Sequence, residues 1–205
     1  MEITLRPATP EDAPTGTALL ARSMAGFGDA LLGLGSHARQ LSVLEHFWRR
    51  GDNRFSHRLC ELALVEGEIA GLVLTLPGTQ SLALNFGFAR HIFSVYNLRQ
   101  VLRFVRLGLM MTGVTEVLRD EYLLSNLAVL PPFEGRGVGR FLLQRADELA
   151  RAAGFRRITL TVKIGNERAR SLYLSHGYRV IQRHLTPHLE HVLATLGTER
   201  LIKDL

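Results

Sequence analysis

Apolar and polar positions in the first third of the chain follow the periods of strands and helices in turn. Residues 2–6 alternate, as a strand does. Thr9 precedes a proline and two acids, which are typical of a helix start. Two apolar stretches joined by Glu-Gly-Glu at 66–68 predict a hairpin. The predicted elements are strands over 2–6, 58–65 and 69–76, a helix from Thr9 to about Met24, and a helix over 37–50.

From residue 121 onward, strand and helix patterns alternate. No internal repeat or low-complexity linker divides the chain, so we expect one α/β domain over residues 1–205. The predicted strands are 122–129, 157–162, 178–183 and 199–203, and the predicted helices are 137–152 and 167–175.

The intervening segment, 77–119, carries an amphipathic helical pattern. Arg99, Arg103 and Arg106 take one face of it. The apolar positions at helical spacing are Leu98, Val101, Leu102, Val105 and Leu109. The favoured interpretation is a surface helix that packs on the core through its apolar stripe. The alternatives are a flap over a binding site, a contact in a homodimer, and a helix on a membrane surface.

Composition and charge exclude some classes of protein. With 205 residues, 46% hydrophobic and 21% charged, the chain has the composition of an ordinary globular protein. No apolar run is long enough to span a membrane, and Glu2 and Arg6 interrupt any signal-peptide pattern, so we expect a cytoplasmic protein. Cys60 is the single cysteine, which excludes intramolecular disulfides and thiolate metal clusters. The net charge of +6 comes from scattered arginines without interleaved aromatics, and the chain has no nucleic-acid-binding motif. A basic protein also suits an anionic ligand such as a nucleotide cofactor, and charge alone does not choose between the two.

The most informative stretch runs from Leu127 to Leu143. An apolar strand ends at two prolines, glycines follow at positions 135, 137 and 139, and an amphipathic helix begins. Alternate glycines let successive N–H groups point one way, and the helix start adds unpaired amides, so the loop predicts a phosphate site. The alternative is that the glycines only close a strand–helix turn. The loop lacks the Gly-Lys-Ser/Thr of nucleotide triphosphatases and the spacing of the dinucleotide fingerprint.

A second segment, 166–178, follows about 25 residues later, with Asn166 placed to cap a helix and Gly177 to end it. Taken together, residues 121–178 strongly resemble the GNAT superfamily of acetyl-CoA-dependent N-acetyltransferases. The resemblance is weaker over 2–76, includes the strand 199–203, and does not extend to 77–119. It implies a central, mostly antiparallel, twisted sheet of six or seven strands flanked by helices. In that fold, 77–119 is a helical insertion between the third and fourth strands, and 121–178 is the acyl-CoA-binding core.

The same resemblance implies a cofactor site for acetyl-CoA, the co-substrate. The glycine loop would hold the pyrophosphate, the preceding strand would bond the pantetheine arm, and Tyr173 would lie near the thioester sulfur. The loop departs from the family in beginning with Glu134, where Gln or Arg is usual, although Arg136 and Arg140 can supply positive charge. The predicted cofactor-binding residues are Leu127, Ala128, Val129, Glu134, Gly135, Arg136, Gly137, Val138, Gly139, Arg140, Asn166, Arg170 and Tyr173.

The implied chemistry is direct transfer of an acetyl group to a primary amine of a small-molecule or peptidyl acceptor. A backbone N–H near Val129 would stabilise the oxyanion, and Tyr173 would protonate the departing thiolate, unless its role is packing alone. Strand alternation places Glu121, Leu123, Ser125 and Leu127 on one face, which leaves Glu121 as the candidate base or a solvated strand end. A water relayed through Ser125 or Asn126 is the alternative base.

The histidines suggest neither a base nor a metal site. His176 suits a helix C-terminus, and the tail histidines His184, His188 and His191 lack partners at ligand spacing, so no metal is predicted. Two other functions stay open: a catalytically silent acyl-CoA-binding regulatory module, and a basic nucleic-acid-binding domain, for which the sequence has no motif.

Overall fold

The fold is built on a seven-stranded sheet. The computed structural model describes residues 2–110, 116–186, 190 and 195–205. The strand order is β1-β2-β3-β4-β5-β7-β6, and among the described strands only β4 and β5 are parallel neighbours. The strands are β1 Ile3–Pro7, β2 Cys60–Val65, β3 Glu68–Pro77, β4 Tyr122–Val129, β5 Arg157–Lys163, β6 Arg179–Leu185 and β7 Gly197–Asp204.

Helices cover both faces of the sheet. One apolar cluster joins α1, α3, α4 and α5 to β2, β3 and β4, and a second packs α6 on the opposite face. Within the described ranges, none of these helices is long and apolar enough to cross a membrane. The helices are α1 Ala13–Met24, α2 Gly26–Leu31, α3 His37–Trp48, α4 Gly78–His91, α5 Leu98–Met110, α6 Val138–Ala152 and α7 Glu167–Ser175.

The predicted fold class is confirmed: the sheet is mixed and mostly antiparallel, with α4 and α5 between the third and fourth strands. The hairpin between β2 and β3 turns at Glu66 and Gly67, with φ of 52° and 82°. Two left-handed residues in a row match the right-handed twist of the strands they join. The helix predicted from Thr9 begins with a 3-10 turn, where Asp12 accepts hydrogen bonds from the Thr9 N–H (2.8 Å) and hydroxyl (3.0 Å).

The favoured interpretation of the amphipathic helix in 77–119 is wrong. Val101 is buried and Phe104 packs on the core, but Leu98, Leu102, Val105 and Leu109 are exposed. The core contact of α5 is therefore made by the neighbouring arc of the helix, and most of the apolar stripe faces outward. Residues 111–115 of this segment lie outside the described residues.

Strand β4 contains a β-bulge that changes which residues share a face. Leu74 and Thr75 on β3 pair with Asn126 and Leu124, so Ser125 is the extra residue of β4. Leu123 then belongs to the cluster on the α1 face, whereas Leu127 packs in the α6 cluster. The expectation that Glu121, Leu123, Ser125 and Leu127 share one face is therefore wrong, because the bulge reverses the alternation.

Candidate active site

The two parallel strands, β4 and β5, pair over only part of their length. The pairing of β4 with β5 covers only Tyr122 with Ile158 and Leu123 with Thr159. Beyond Leu123 the two strands diverge, although β4 continues to Val129. The second half of β4 thus keeps one edge without a strand partner, and that edge leads into the glycine loop.

The free edge of β4 offers the backbone groups of alternate residues. The Leu130 N–H donates to the Ala70 carbonyl at 2.8 Å, which makes the Gly71–Val129 pair a non-hydrogen-bonded pair of the antiparallel ladder. By alternation, Leu127 and Val129 turn their N–H and C=O groups away from β3. Ala128 instead exchanges its hydrogen bonds with Leu72. The N–H and C=O of Leu127 and the N–H of Val129 are therefore able to bond a ligand along this edge, and the backbone of Ala128 is not.

The glycine loop has the geometry that an anion site requires. Gly135 and Gly137 have φ of 74° and 86°, values that favour glycine, and a Cβ added at either would meet nothing within 4 Å. Gly139 lies close under α7, because an added Cβ would approach a methyl group of Leu172 at 3.3 Å. Val138, Gly139 and Arg140 begin α6, so helix geometry leaves their N–H groups without intrahelical acceptors. Unpaired amides at a helix start, preceded by a loop with open space beside Gly135 and Gly137, suit a diphosphate.

Glu134, the unusual first residue of the loop, is bound by two arginines. Arg22 from the end of α1 donates to Glu134 Oε1 at 2.6 Å, and Arg168 from the first turn of α7 donates to Oε2. These hydrogen bonds, first Arg22 and then Arg168, hold the pKa of Glu134 below its usual value. Arg22 also donates from Nε to the Val129 carbonyl at 3.1 Å. The acid at this position therefore leaves one net positive charge beside the loop.

Tyr173, on α7, packs against the apolar cluster between α6 and the sheet, as do Leu127, Val129 and Leu172. Its ring centroid lies 5.9 Å from that of Tyr178. Burial raises the pKa of Tyr173 to about 12, so the phenol keeps its proton throughout the neutral range. Asn166 caps the same helix, its Oδ1 accepting from the Ala169 N–H at 3.2 Å.

The structure gives Arg170, a predicted cofactor ligand, another partner. Its Nε donates to Glu199 Oε2 at 2.7 Å, while Arg183 donates to Oε1 at 2.7 Å. Burial raises the pKa of Glu199, but the hydrogen bonds from Arg170 and Arg183 outweigh that effect and lower it overall. This ion-paired cluster ties α7 to β6 and β7. The geometry thus assigns Arg170 to holding α7 in place.

The geometry also argues against Glu121 as the base. Its side chain is only 1% exposed, pairs with Arg200 and accepts the Leu118 N–H at 2.9 Å. It precedes the bulge by four residues along the chain. A carboxylate that is enclosed and bound in this way has no path to an incoming amine.

Polar side chains do meet at the bulge. The Ser125 hydroxyl donates to Asn126 Oδ1 at 3.0 Å, and the Asn126 amide donates to Ser23 Oγ on α1 at 2.8 Å. These three partly buried groups can hold a water, as the relay through Ser125 or Asn126 requires. None of the three is itself a base.

His176 contacts an acidic side chain of α6. His176 Nε2 lies 2.9 Å from Asp147 Oδ2, which also binds Lys203. Across the described part of the chain, no three His, Cys, Asp or Glu side chains are arranged to hold a metal ion. His188 and His191 lie outside the described residues.

Three residues at the site were missed by the sequence interpretation: Arg22, Ser23 and Arg168. Arg168 stands within the segment 166–178, but a basic residue two positions after a helix cap is a weak signal. Arg22 and Ser23 lie more than 100 positions before their partners and carried no sequence signal.

A parallel strand pair that separates beside a bulge, followed by a glycine loop at a helix start, offers backbone donors to a long, phosphate-bearing ligand. The model of the acetyltransferase (GNAT) family matches residues 34–178, and the chain belongs to that family. The family uses acetyl-CoA as co-substrate, and its members are acyltransferases.

Curated relatives match over shorter stretches. A [ribosomal protein bS18]-alanine N-acetyltransferase of Salmonella typhimurium is 37% identical over 77 residues, which is 37% of this chain and 52% of that protein. A mycothiol acetyltransferase of Jonesia denitrificans is 41% identical over 59 residues, 29% of this chain and 19% of that protein. The chain thus spans about half the length of the first relative and about a fifth of the second.

Solved structures agree with the fold along the whole chain. An N-acetyltransferase from Staphylococcus aureus Mu50 superposes with a TM-score of 0.71 at 20% identity, over 97% of this chain and 99% of that one. The PaiA N-acetyltransferase of Thermoplasma acidophilum, solved with coenzyme A, superposes with a TM-score of 0.56 at 14% identity, over the full length of both chains. At these identities the likeness concerns the fold.

Proposed function

We propose that the protein transfers an acetyl group from acetyl-CoA directly to a primary amine. The observation that carries this proposal is the free edge of β4, whose Leu127 and Val129 backbone groups run straight into the open glycine loop. Residues 121–178 would then form the acyl-CoA-binding core. The diphosphate would lie on the amides between Gly135 and Arg140, and the pantetheine arm would pair with β4 in the manner of an added strand.

In this proposal the amine nitrogen attacks the thioester carbonyl, and the oxyanion forms within reach of the Val129 N–H. The C–S bond then breaks, and the electron pair leaves on sulfur. Tyr173 donates a hydrogen bond to that thiolate. With a pKa of about 12 the phenol stabilises the thiolate better than it protonates it, so coenzyme A takes its proton from solvent.

The proton lost by the amine needs an acceptor at the bulge. Ser23, Ser125 and Asn126 can orient a water there, and the water carries the proton to bulk solvent. No carboxylate contacts these side chains in the described part of the chain. The proposed acceptor is consequently a primary amine that is partly deprotonated at the working pH, such as the α-amino group of a peptide or a small-molecule amine of similarly low pKa.

The relatives support amine acetylation in general terms. One acts on an alanine of ribosomal protein bS18, and another is a mycothiol acetyltransferase. These two names indicate different acceptors. What the relatives have in common is therefore acetyl transfer, and they do not identify the acceptor of this chain.

A second candidate, a silent acyl-CoA-binding module, is favoured by the missing carboxylate at the bulge. Release of free coenzyme A from acetyl-CoA, followed with a thiol reagent across a panel of α-amino peptides and small amines, separates the two. If the protein is a transferase, the amount of free coenzyme A released rises with the concentration of one class of amine. Tight coenzyme A binding without thiol release for any amine contradicts catalysis and supports the module.

A further inference from the structure

The segment 78–110, which we call the α4–α5 excursion, exposes large apolar side chains in two rows. Six of them are between 47% and 68% exposed. Single exposed apolar residues are ordinary, but rows of them on consecutive elements mark a contact surface. The row on α4 and the turn after it is Leu82, Phe86 and Phe93, and the row on α5 is Leu98, Leu102 and Val105.

Helix α5 divides its circumference into three arcs. At about 100° per residue, Leu98, Leu102 and Val105 fall within about 60° of one another. Val101 and Phe104, on one side of this stripe, pack on the core. The arginines of the helix occupy the other side. The apolar stripe is therefore held outward by the packing of the same helix and has an arginine flank.

The charge of the excursion has one sign. Residues 78–110 contain no Asp or Glu. Arg99, Arg103 and Arg106 are exposed, and no acidic side chain of the described residues pairs with them. By contrast, Arg90 on α4 binds Asp52 of the neighbouring loop. Three uncompensated arginines beside an apolar stripe are complementary to a surface that is apolar and anionic at once.

We propose that the α4–α5 excursion docks the protein on an anionic lipid surface. A helix with separate apolar and cationic faces lies in the plane of a bilayer, with leucines among the acyl chains and arginines at the phosphates. A second copy of the chain fits less well. An antiparallel two-fold contact through α5 would bring the arginine flank of each copy against the same flank, and the excursion has no acid to offset that repulsion.

The test is cosedimentation of the full chain with vesicles of phosphatidylcholine alone and of phosphatidylcholine mixed with phosphatidylglycerol. We expect binding to the mixed vesicles that weakens as salt is raised, and little binding to the neutral ones. Substituting Arg99, Arg103 and Arg106 together by Gln reduces the partition coefficient on the order of 100-fold. Leu102→Glu reduces it by about tenfold or more.

Matched variants test whether vesicle binding depends on this surface or only on net charge and exposed apolar area. Substituting Arg119, Arg151 and Arg156 by Gln changes the net charge equally at exposed sites elsewhere. Leu185→Glu changes a leucine on β6 that is 64% exposed, against 60% for Leu102. Both controls should change binding less than twofold, and all four variants should keep the thermal midpoint of the parent.

Three results would overturn the proposal. One is equal loss of vesicle binding in the control variants, and another is binding that does not depend on phosphatidylglycerol. The third is absence of vesicle binding together with a dimer that Leu102→Glu dissociates in analytical ultracentrifugation, because the second copy would then be the occupant.

Discussion

The segment from β4 to α7 and the α4–α5 excursion place their apolar residues in opposite ways. In the segment from β4 to α7, amphipathic α6 buries its apolar stripe against the sheet, and Leu142 is fully enclosed. In α5 a comparable stripe faces outward, while Val101 and Phe104 make the core contact. The difference shows that periodicity identifies a helix but does not say which apolar arc meets the core.

The two regions also differ in how their charges are arranged. Around the glycine loop, Glu134 binds Arg22 and Arg168 and so balances part of the positive charge. On α5, Arg99, Arg103 and Arg106 have no such balance among the described residues. We propose that the loop binds one ligand in a fixed place and that the excursion meets an extended surface. The following variants test this contrast, from the largest expected effect to the smallest.

Gly137→Asp should abolish most coenzyme A binding. A carboxylate beside the proposed diphosphate repels it by about 4 kcal/mol at about 4 Å under an effective dielectric near 20, which corresponds to a loss of affinity on the order of 1000-fold. Isothermal titration calorimetry with coenzyme A measures it. Gly154→Asp is the control, since Gly154 has a φ of 81° and equal open space but lies at the far end of α6. Equal losses in both variants would mean that strain, not position, is responsible.

Replacing a leucine by alanine should lower the free energy of unfolding by different amounts in the two regions. Leu142→Ala removes a fully buried side chain and should lower the free energy of unfolding by roughly 2–5 kcal/mol. Leu102→Ala, at an exposed position, should change it by less than about 0.5 kcal/mol. Urea denaturation measures both. A large cost at Leu102 would show that the α5 stripe is packed in solution.

Tyr173→Phe should reduce turnover without weakening cofactor binding. Loss of the phenolic donor removes thiolate stabilisation, and kcat should fall on the order of 100-fold while the Kd of coenzyme A changes less than twofold. Tyr178→Phe in the same cluster is the control, because its buried hydroxyl has no partner in the described structure. If both variants lose activity equally, packing explains the effect and the role of Tyr173 as a donor is contradicted.

Glu134→Gln should tighten coenzyme A binding by about fivefold at low salt. Removing the carboxylate leaves Arg22 and Arg168 free to act on the phosphates, an effect of about 1 kcal/mol at this partly exposed site. The gain should disappear as ionic strength rises. Weaker binding would instead indicate that Glu134 mainly positions the two arginines. Calorimetry at two salt concentrations distinguishes these outcomes.

What the sequence allowed us to predict was mostly local. The bounds of β4 and α7 agree with the prediction, because prolines, glycines and a cap mark their ends. Long-range properties were not predictable. The bulge at Ser125 depends on the register of β3, and the partners of Glu121 and Arg170 stand 79 and 29 positions away. These pairings give Glu121 and Arg170 partners other than the predicted ligands. No local sequence pattern encodes such pairings.

Amide hydrogen exchange with and without coenzyme A, read by mass spectrometry, tests the central claim most directly. Binding should slow exchange in the peptides that contain Leu127, Val129 and residues 135–140, and leave residues 98–110 unchanged. Protection that appears in 98–110 while the glycine loop exchanges at its free rate would contradict the proposed site.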